Sequence, residues 1–373
     1  LRLETDGRPV VLIGQNGAGK TNILESISYL VPGRGIRSAR LSEVGRVPDE
    51  PCVGSGRGST VGGGSWAVAG SVSCQDQINE IGTGFAPDTE EVARERRVIR
   101  INGKNLSRQS DLGNFNSAVW LTPLMDRLFV DSASGRRRFV DRLILGFDSD
   151  HVARVSSYER SMRGRNRLLK EGNKEDEWLS SLEDTMARYG VAVAARRKEA
   201  VTIINQLTMT EEDPFPSAHV TMGGDLERWL DQFSALDVEE RLRRSLASSR
   251  SIDSRTGSAM TGPHKSDLTT YHIPSGTEAR ICSTGEQKAL LVRLILAATS
   301  FQAMERGRTP VLLLDEIGAH LDNVRRSALC NMIVEMGVQA WMTGTEEALF
   351  ESIGTKAQCF KVMGAKVEKI NLG

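Results

Sequence analysis

The residues from Gly14 to Thr21 have the types and spacing of a phosphate-binding loop. They match the pattern GxxxxGK[ST] in full, between a short apolar run and a helical stretch. That context is what the pattern requires, and it disfavours a chance glycine-rich turn. Glycines let backbone N–H groups surround phosphate oxygens, and the helix N-terminus adds a favourable dipole. Lys20 is then expected to reach the β- and γ-phosphates, and Thr21 to bind Mg²⁺. The predicted nucleotide contacts here are Gly14, Gln15, Asn16, Gly17, Ala18, Gly19, Lys20, Thr21 and Asn22.

A pair of carboxylates, Asp315 and Glu316, directly follows the apolar run Val311–Leu314. The run predicts a buried strand, and ligands of α/β sheets bind at the carboxyl ends of such strands. Asp315 is predicted to hold Mg²⁺, directly or through water, and Glu316 to act as general base toward an attacking water. The alternative is a buried strand that ends in two solvated acids, which is a common arrangement. The phosphate-binding loop elsewhere in the chain favours the catalytic interpretation.

The segment Ser283-Thr284-Gly285-Glu286-Gln287 opens a long helix with apolar periodicity, 32 positions before Asp315. Its pattern resembles the signature of ABC-type ATPases, in which Gly285 permits close backbone approach and Ser283 with the helix N-terminus forms a second phosphate-binding surface. We therefore include Ser283, Gly285 and Glu286 among the nucleotide contacts. The alternative is an ordinary serine-capped helix with an acid in its first turn.

The elements that must position these residues predict an α/β protein. Strand patterns precede the loop and Asp315, and Asn102-Gly103 between extended flanks predicts a hairpin. From Met125 to Arg250 the pattern is helical, with Pro214 and Pro216 as interruptions. The predicted fold class is therefore an ABC-type P-loop ATPase head with an inserted, mostly helical arm domain. The predicted strands are Val10–Ile13, Trp66–Val72, Asp267–Ile273 and Val311–Leu314. The predicted helix after the phosphate-binding loop is Thr21–Leu30, and the predicted exposed loop is 54–64. Two series of residues recur at the one-turn intervals of a helix: Leu143, Phe147 and His151, and Leu179, Leu182 and Met186.

The composition is that of a globular protein, with 39% hydrophobic and 26% charged residues among 373. Lys+Arg and Asp+Glu both number 48, which disfavours a histone-like nucleic-acid binder but allows a local basic groove. The five cysteines form no CxxC pair, so neither a zinc site nor a disulfide framework is indicated. No apolar run approaches the ~18 residues of a membrane helix. We expect a cytoplasmic protein that lacks a short N-terminal piece here, and the base-stacking element is not located in the sequence.

Motifs over nearly the whole chain resemble the RecF family of ABC/SMC-like ATPases. The loop resembles GxNGxGK of that branch, and the 263 positions between Lys20 and Ser283 suit a compact insertion. The resemblance implies a head at 1–122 and 256–373 and an arm at 123–255. It also implies that Asp322 lies in a D-loop, His320-Leu321-Asp322, at a dimer seam, and that Thr343 contacts the γ-phosphate. Further segments that carry the resemblance are Trp120–Pro123, Met125–Phe129, Arg136–Phe139, Asp141-Arg142 and Thr261–His264.

What the resemblance implies about function is a slow ATP hydrolase with ATP and Mg²⁺ as cofactors. Two copies would join around ATP, clamp DNA at single-strand gaps or junctions, and help RecR and RecO to load RecA. An ABC-type transport subunit and a non-hydrolysing nucleotide-dependent scaffold are the alternatives. Leu124 departs from the family pattern because many members have Gln there, and Lys265-Ser266 replaces a more usual Arg-acidic pair.

The segment from Arg127 to Lys170 is locally basic in an otherwise neutral chain. Such a helical face could track a phosphate backbone without reading sequence. A solvated face with internal ion pairs is the alternative, and charge alone does not decide between them. The bases are Arg127, Arg136, Arg137, Arg138, Arg142, Arg154, Arg160, Arg163, Arg165, Arg167 and Lys170, and the acids are Asp131, Asp141, Asp148, Asp150 and Glu159.

Overall fold

The computed structural model describes residues 1–45, 64–74, 77–86, 96–172, 176–209, 214–318, 321–364 and 366–371. The predicted exposed loop, 54–64, lies outside the described residues except for Gly64. The chain divides into two compact units. The sheet unit comprises Leu1–Trp120, Pro310–Glu316 and Gly337–Gly373, and the helical unit comprises Leu121–Thr309 and Ile317–Met336. The division reflects which residues contact each other and not which residues share a function. The predicted boundaries of the head and the arm therefore stay a prediction.

The secondary structure of the described residues is as follows. The strands are β1 (Val10–Ile13), β2 (Trp66–Cys74), β3 (Gln77–Phe85), β4 (Val98–Ile101), β5 (Lys104–Asn105), β6 (Ala118–Leu121), β7 (Ala218–Gly223), β8 (Asp267–His272), β9 (Thr277–Glu278), β10 (Val311–Leu314), β11 (Ala340–Gly344), β12 (Gln358–Met363) and β13 (Lys366–Ile370). The α-helices are α1 (Lys20–Ser28), α2 (Leu41–Val44), α3 (Ala133–Leu145), α4 (His151–Lys170), α5 (Asp176–Thr208), α6 (Asp225–Leu230), α7 (Ala235–Thr256), α8 (Thr284–Arg306) and α9 (Asn323–Glu335).

The main sheet of the sheet unit has the strand order β13-β12-β1-β11-β10-β6. β1 runs parallel to both β11 and β12, and β10 runs parallel to β11. Its central strands β1, β10 and β11 are almost entirely buried, and the sequences of β1 and β10 are accordingly continuous apolar runs. Since β1, β10 and β11 are parallel, their carboxyl ends meet at one edge of the sheet, where ligands of α/β folds bind.

A second, antiparallel sheet in this unit has the order β2-β3-β4-β5. Asn102 and Gly103 join β4 to β5 with φ values of 49° and 78°, as a two-residue hairpin turn requires. The predicted hairpin is therefore confirmed. The side chains of β2 alternate between exposed and half-buried, which agrees with its predicted strand pattern.

The helical unit packs α4, α5 and α7 around a common apolar core. The predicted interruption at Pro214 and Pro216 is confirmed, since α5 ends at Thr208 and β7 begins at Ala218. The periodicity through Leu143 and His151 spans two helices, because the chain leaves α3 at Leu145 and begins α4 at His151. No helix among the described residues is long and apolar enough to cross a membrane. The core consists of Tyr158, Met186, Ala187, Val191, Ala194, Leu226, Val238, Leu242, Leu246 and Ala259.

Candidate nucleotide-binding site

The turn between β1 and α1 is shaped by glycines that no other residue could replace without strain. Gly17 and Gly19 have φ values of 81° and 100°, in the left-handed region. A Cβ at Gly14 would overlap the carbonyl oxygen of Val362 on β12. Gly19 precedes α1 without any side-chain cap from the described residues, and the first turn of α1 contains no acid. The N–H groups at this helix end are therefore available to an anion.

Lys20 is the first residue of α1, and its side chain reaches back to the turn. Its ammonium nitrogen donates to the carbonyl oxygens of Gly14 at 2.6 Å and of Gln15 at 2.9 Å, and the residue is 6% exposed. Burial lowers the pKa of Lys20 from its ordinary value, whereas the charges of Glu316 and Asp315 act to raise it. The loop thus concentrates one positive charge where it would face the phosphates of a nucleotide.

Asp315 joins three parts of the chain at the carboxyl edge of the main sheet. Its two carboxylate oxygens accept from the hydroxyl of Thr21 at 3.0 and 2.9 Å. One of them also accepts from the hydroxyl of Thr343 at 2.8 Å. Asp315 is 4% exposed and Thr343 is fully buried. The structure therefore brings together both predicted Mg²⁺ ligands, Thr21 and Asp315, and the predicted γ-phosphate contact Thr343.

The hydroxyl of Thr343 has a second partner that the sequence did not indicate. It accepts a hydrogen bond from the backbone N–H of Glu316 at 2.8 Å. β10 pairs with β11 so that Leu314 lies beside Met342, and the next residues, Asp315 and Thr343, are then neighbours. Only the strand order reveals this link, because no local pattern places β11 beside β10.

Glu316 follows directly in a conformation that is unusual for a residue with a side chain. Its φ is 52°, in the left-handed region, and its side chain is exposed. Non-glycine residues held in this region cost roughly 1–3 kcal/mol and cluster at functional sites. Glu316 lies at the carboxyl edge of the main sheet directly after the buried Asp315, and its role as general base stays a prediction.

The residues at this edge fit a nucleotide with Mg²⁺. A hydroxyl and one carboxylate are the protein ligands typical of a Mg²⁺ ion that also binds phosphate oxygens and water. Among the described residues, no group of three or more His, Cys, Asp or Glu could hold a metal ion as an all-protein cage.

Asn22, also a predicted contact, accepts a hydrogen bond from Arg37 at 3.0 Å, and Arg37 pairs with Glu25 at 2.9 Å.

The predicted signature residues lie in the helical unit, at the start of α8. Ser283 and Glu286 form a capping box, in which the Glu286 carboxylate accepts from the Ser283 N–H and hydroxyl, both at 2.8 Å. These two bonds lower the pKa of the Glu286 carboxyl. The serine-capped helix is therefore real, but Ser283 remains exposed, and a Cβ at Gly285 would meet no atom of the described part of the chain within 4 Å. The backbone around Gly285 is open to a group from outside the chain.

Asp322 caps α9 in the same unit by accepting from the N–H of Arg325 at 2.8 Å. His320, its predicted neighbour in the D-loop, lies outside the described residues.

Lys288 of the signature helix is buried and pairs with Asp126, a contact that the sequence did not predict. Leu124 is 75% exposed.

Lys265-Ser266, the second departure from the family pattern, includes a buried hydroxyl. Ser266 donates to the Glu227 carboxylate at 2.7 Å. Beside it, Nδ1 of His264 forms a hydrogen bond of 2.6 Å with the Tyr158 hydroxyl. Burial lowers the pKa of His264. This cluster is part of the packing of the helical unit.

The basic segment from Arg127 to Lys170 separates into two groups. Several of its bases contact other residues of the helical unit. Arg165 is fully buried between Glu183 and Asp253. Arg136 pairs with Asp267, and Arg137 donates to the Ser266 carbonyl. These contacts confirm part of the ion-pair alternative, since the charge count included residues that solvent does not reach. The six bases that remain exposed are Arg127, Arg138, Arg160, Arg163, Arg167 and Lys170.

Known proteins resemble this chain over nearly its full length. The family described as RecF/RecN/SMC N-terminal domain matches residues 1–368. DNA replication and repair protein RecF of Mesorhizobium japonicum is 44% identical over 355 residues, which are 95% of this chain and 89% of the relative. The protein of the same name in Brucella suis is 43% identical over 97% of this chain and 90% of its own length.

Solved structures share the fold. The recombination mediator protein RecF with ATP, of the RecFOR pathway, matches with a TM-score of 0.78 and 23% identity over 99% of this chain and 93% of that chain. The Smc head domain of Pyrococcus furiosus matches with a TM-score of 0.53 and 15% identity over 99% and 92%. Both likenesses confirm the predicted fold class, a mixed α/β head of the ABC type. With the identities and the matched family, they show that this chain belongs to the RecF family of DNA replication and repair proteins, within the RecF/RecN/SMC N-terminal domain family.

Proposed function

We propose that this chain hydrolyses ATP slowly, and that ATP joins two copies of it around DNA at single-strand gaps or junctions. The observation that carries the proposal is the network at the edge of the main sheet. Thr21, Asp315, Thr343 and the backbone of Glu316 are already linked by hydrogen bonds of 2.8–3.0 Å. A site assembled to this degree supports hydrolysis over a scaffold that only holds its nucleotide, because the general base has its backbone fixed beside the metal ligand.

Each residue of the network has a distinct task in this proposal. The N–H groups of the loop and the Lys20 ammonium bind and orient the β- and γ-phosphates. Thr21 and Asp315 would hold Mg²⁺, which neutralises phosphate charge when bound. Thr343 orients Asp315 through its hydroxyl and anchors Glu316 through the backbone N–H. Glu316 accepts the proton of the attacking water.

A second copy of the chain is the partner that completes the site. Ser283 is exposed, Gly285 leaves open space around the backbone, and α8 presents its N-terminus there. A helix N-terminus of this kind binds the γ-phosphate held by another protomer in the family that the motif resembles. Nucleotide binding and dimerisation then form one linked equilibrium. Asp322 would lie at the same seam.

The biological task that fits this chemistry is recombinational repair. The solved relative is described as a recombination mediator of the RecFOR pathway. We propose that this chain acts in the cytoplasm with RecR and RecO, which load RecA, and that hydrolysis ends the bound state. ATP works as a timer in this scheme, so a low turnover rate is expected.

The experiment measures mass by light scattering and DNA binding by anisotropy, with and without ATP and Mg²⁺. Wild type is expected to form dimers and bind gapped DNA only with ATP. Glu316→Gln should prolong both states because the general base is lost while the nucleotide contacts remain. Lys20→Met should abolish both, since the phosphates lose their charged contact. Ser283→Arg should keep monomer nucleotide binding but lose the dimer.

The variants separate the parts of the proposal. A Glu316→Gln protein that stays monomeric with ATP contradicts the composite site. A normal dimer from Ser283→Arg contradicts the role of the signature. ATP turnover in wild type without any response to DNA would leave the ATPase standing and reject the DNA clamp.

A further inference from the structure

We infer that one face of α4 is the surface that contacts the DNA phosphate backbone. Four bases recur along this helix at Arg160, Arg163, Arg167 and Lys170, and all four are exposed. At about 100° per residue, their side chains fall within roughly 80° of arc, so they form a single stripe. We call these four residues the α4 stripe. The inference rests on the proposed function and assigns its DNA contact to particular residues.

The α4 stripe keeps its charges available to a ligand. Arg160 and Lys170 have no ion-pair or hydrogen-bonding side-chain partner among the described residues. Arg163 pairs with Glu159 at 3.4 Å and Arg167 with Glu171 at 4.0 Å, and all four of these side chains are at least half exposed. Exposed pairs one helical turn apart contribute only about 0.3–0.5 kcal/mol, so a phosphate can displace them.

Elsewhere in the same helical unit, some arginines are each held by two carboxylates. On α7, Arg243 pairs with both Asp184 and Glu240. On α4 itself, Arg165 faces the opposite way and is buried between Glu183 and Asp253. Arg160 and Lys170 therefore lack such partners among the described residues, and Arg163 and Arg167 have only one exposed pair each within or next to α4.

The geometry of the stripe fits a polyanion with regular spacing. With a rise of 1.5 Å per residue, the ten steps from Arg160 to Lys170 span about 15 Å, which is roughly four phosphate spacings along one strand of a duplex. No aromatic residue lies on the stripe to stack on bases, so the contact is to the backbone and independent of sequence. Membrane binding is less suited, because an interfacial helix needs an opposite apolar face, whereas the opposite face of α4 is buried in the core.

The test compares two variants that each remove four positive charges from the helical unit. The stripe variant carries Arg160→Gln, Arg163→Gln, Arg167→Gln and Lys170→Gln. The control carries Arg228→Gln, Arg243→Gln, Arg244→Gln and Arg255→Gln, which lie on α6 and α7. Binding of gapped duplex DNA is measured with ATP over a salt series, together with ATP turnover, the ATP-dependent dimer and thermal unfolding.

The stripe variant is expected to bind DNA at least about tenfold more weakly, with a salt slope shallower by roughly 3–4, since each phosphate contact contributes about 0.9. Its dimer, basal turnover and unfolding should match wild type, and the control should bind DNA as wild type does. Unchanged DNA affinity and slope in the stripe variant, or an equal loss in the control, would overturn the inference.

A failure of the proposed function looks different. If wild type binds no DNA with ATP, the clamp itself is rejected and the inference with it. If instead wild type binds DNA normally, and the stripe variant loses only its attachment to phosphatidylserine vesicles, the stripe is a membrane contact and the inference is wrong.

Discussion

The nucleotide edge of the sheet unit and the signature at the start of α8 differ in where their contacts come from. At the sheet edge, Asp315 is bonded to Thr21 and Thr343, which lie 294 and 28 residues away in the chain. At the signature, Ser283 and Glu286 bond to each other within one helical turn. The first site is assembled by tertiary contacts, whereas the second is organised locally and leaves its outer face open.

This difference indicates which part of the machinery is complete within one chain. Buried polar groups with several partners hold a fixed geometry, because breaking any bond leaves an unsatisfied group. The exposed signature has no such constraint on its outer face, and no atom of the described residues lies within 4 Å of a Cβ placed at its glycine. An open surface of this kind is what the proposed contact with a second copy requires.

The largest effect is expected from Thr343→Val, which removes a fully buried hydroxyl without changing its volume much. Asp315 and the N–H of Glu316 each lose a partner, so the free energy of unfolding should fall by about 2–3 kcal/mol. Misplacing both carboxylates should slow single-turnover ATP hydrolysis on the order of 100-fold. Thr299→Val is the matched control, since Thr299 is also buried but bonds only within α8. Equal hydrolysis by both variants would show that Thr343 does not organise the site.

A pair of glycine substitutions contrasts the two regions directly. Gly14→Ala forces a methyl group against the Val362 carbonyl, so unfolding by denaturant should show a loss of about 1–3 kcal/mol, with weaker ATP binding. Gly285→Ala meets open space in a helical position, so stability should hold or rise by up to about 1 kcal/mol. The same variant should lose the ATP-dependent dimer. If Gly285→Ala dimerises normally, the open space at the signature is not a protomer contact.

The smallest effect concerns the backbone of Glu316. Glu316→Ala and Glu316→Gly both remove the proposed general base, so neither should hydrolyse ATP. Only glycine relieves the left-handed conformation, and Glu316→Gly should be more stable than Glu316→Ala by about 1 kcal/mol in denaturant unfolding. Equal stabilities would mean that the backbone carries no strain at this position.

Much of the site followed from local sequence, and the limits of that reasoning are physical. The turn from Gly14 to Thr21 is specified by residues whose conformational freedom is a local property. Strand β7 was not predicted, because Ala218–Gly223 lacks a distinct apolar run. The basic segment was overcounted, since Arg165 is neutralised by Glu183 and Asp253, 18 and 88 positions away.

The sequence by itself determined the phosphate-binding turn, the strand that delivers Asp315 and Glu316, and the capped start of the signature helix. Each depends on neighbours within a few residues, whose conformational preferences act over that range. The tertiary structure decided that Thr343 ties Asp315 to Glu316 and that four bases of α4 stay exposed while others are buried. Those outcomes depend on which strands and helices pack together, and contacts between distant segments are set by the burial of the whole chain.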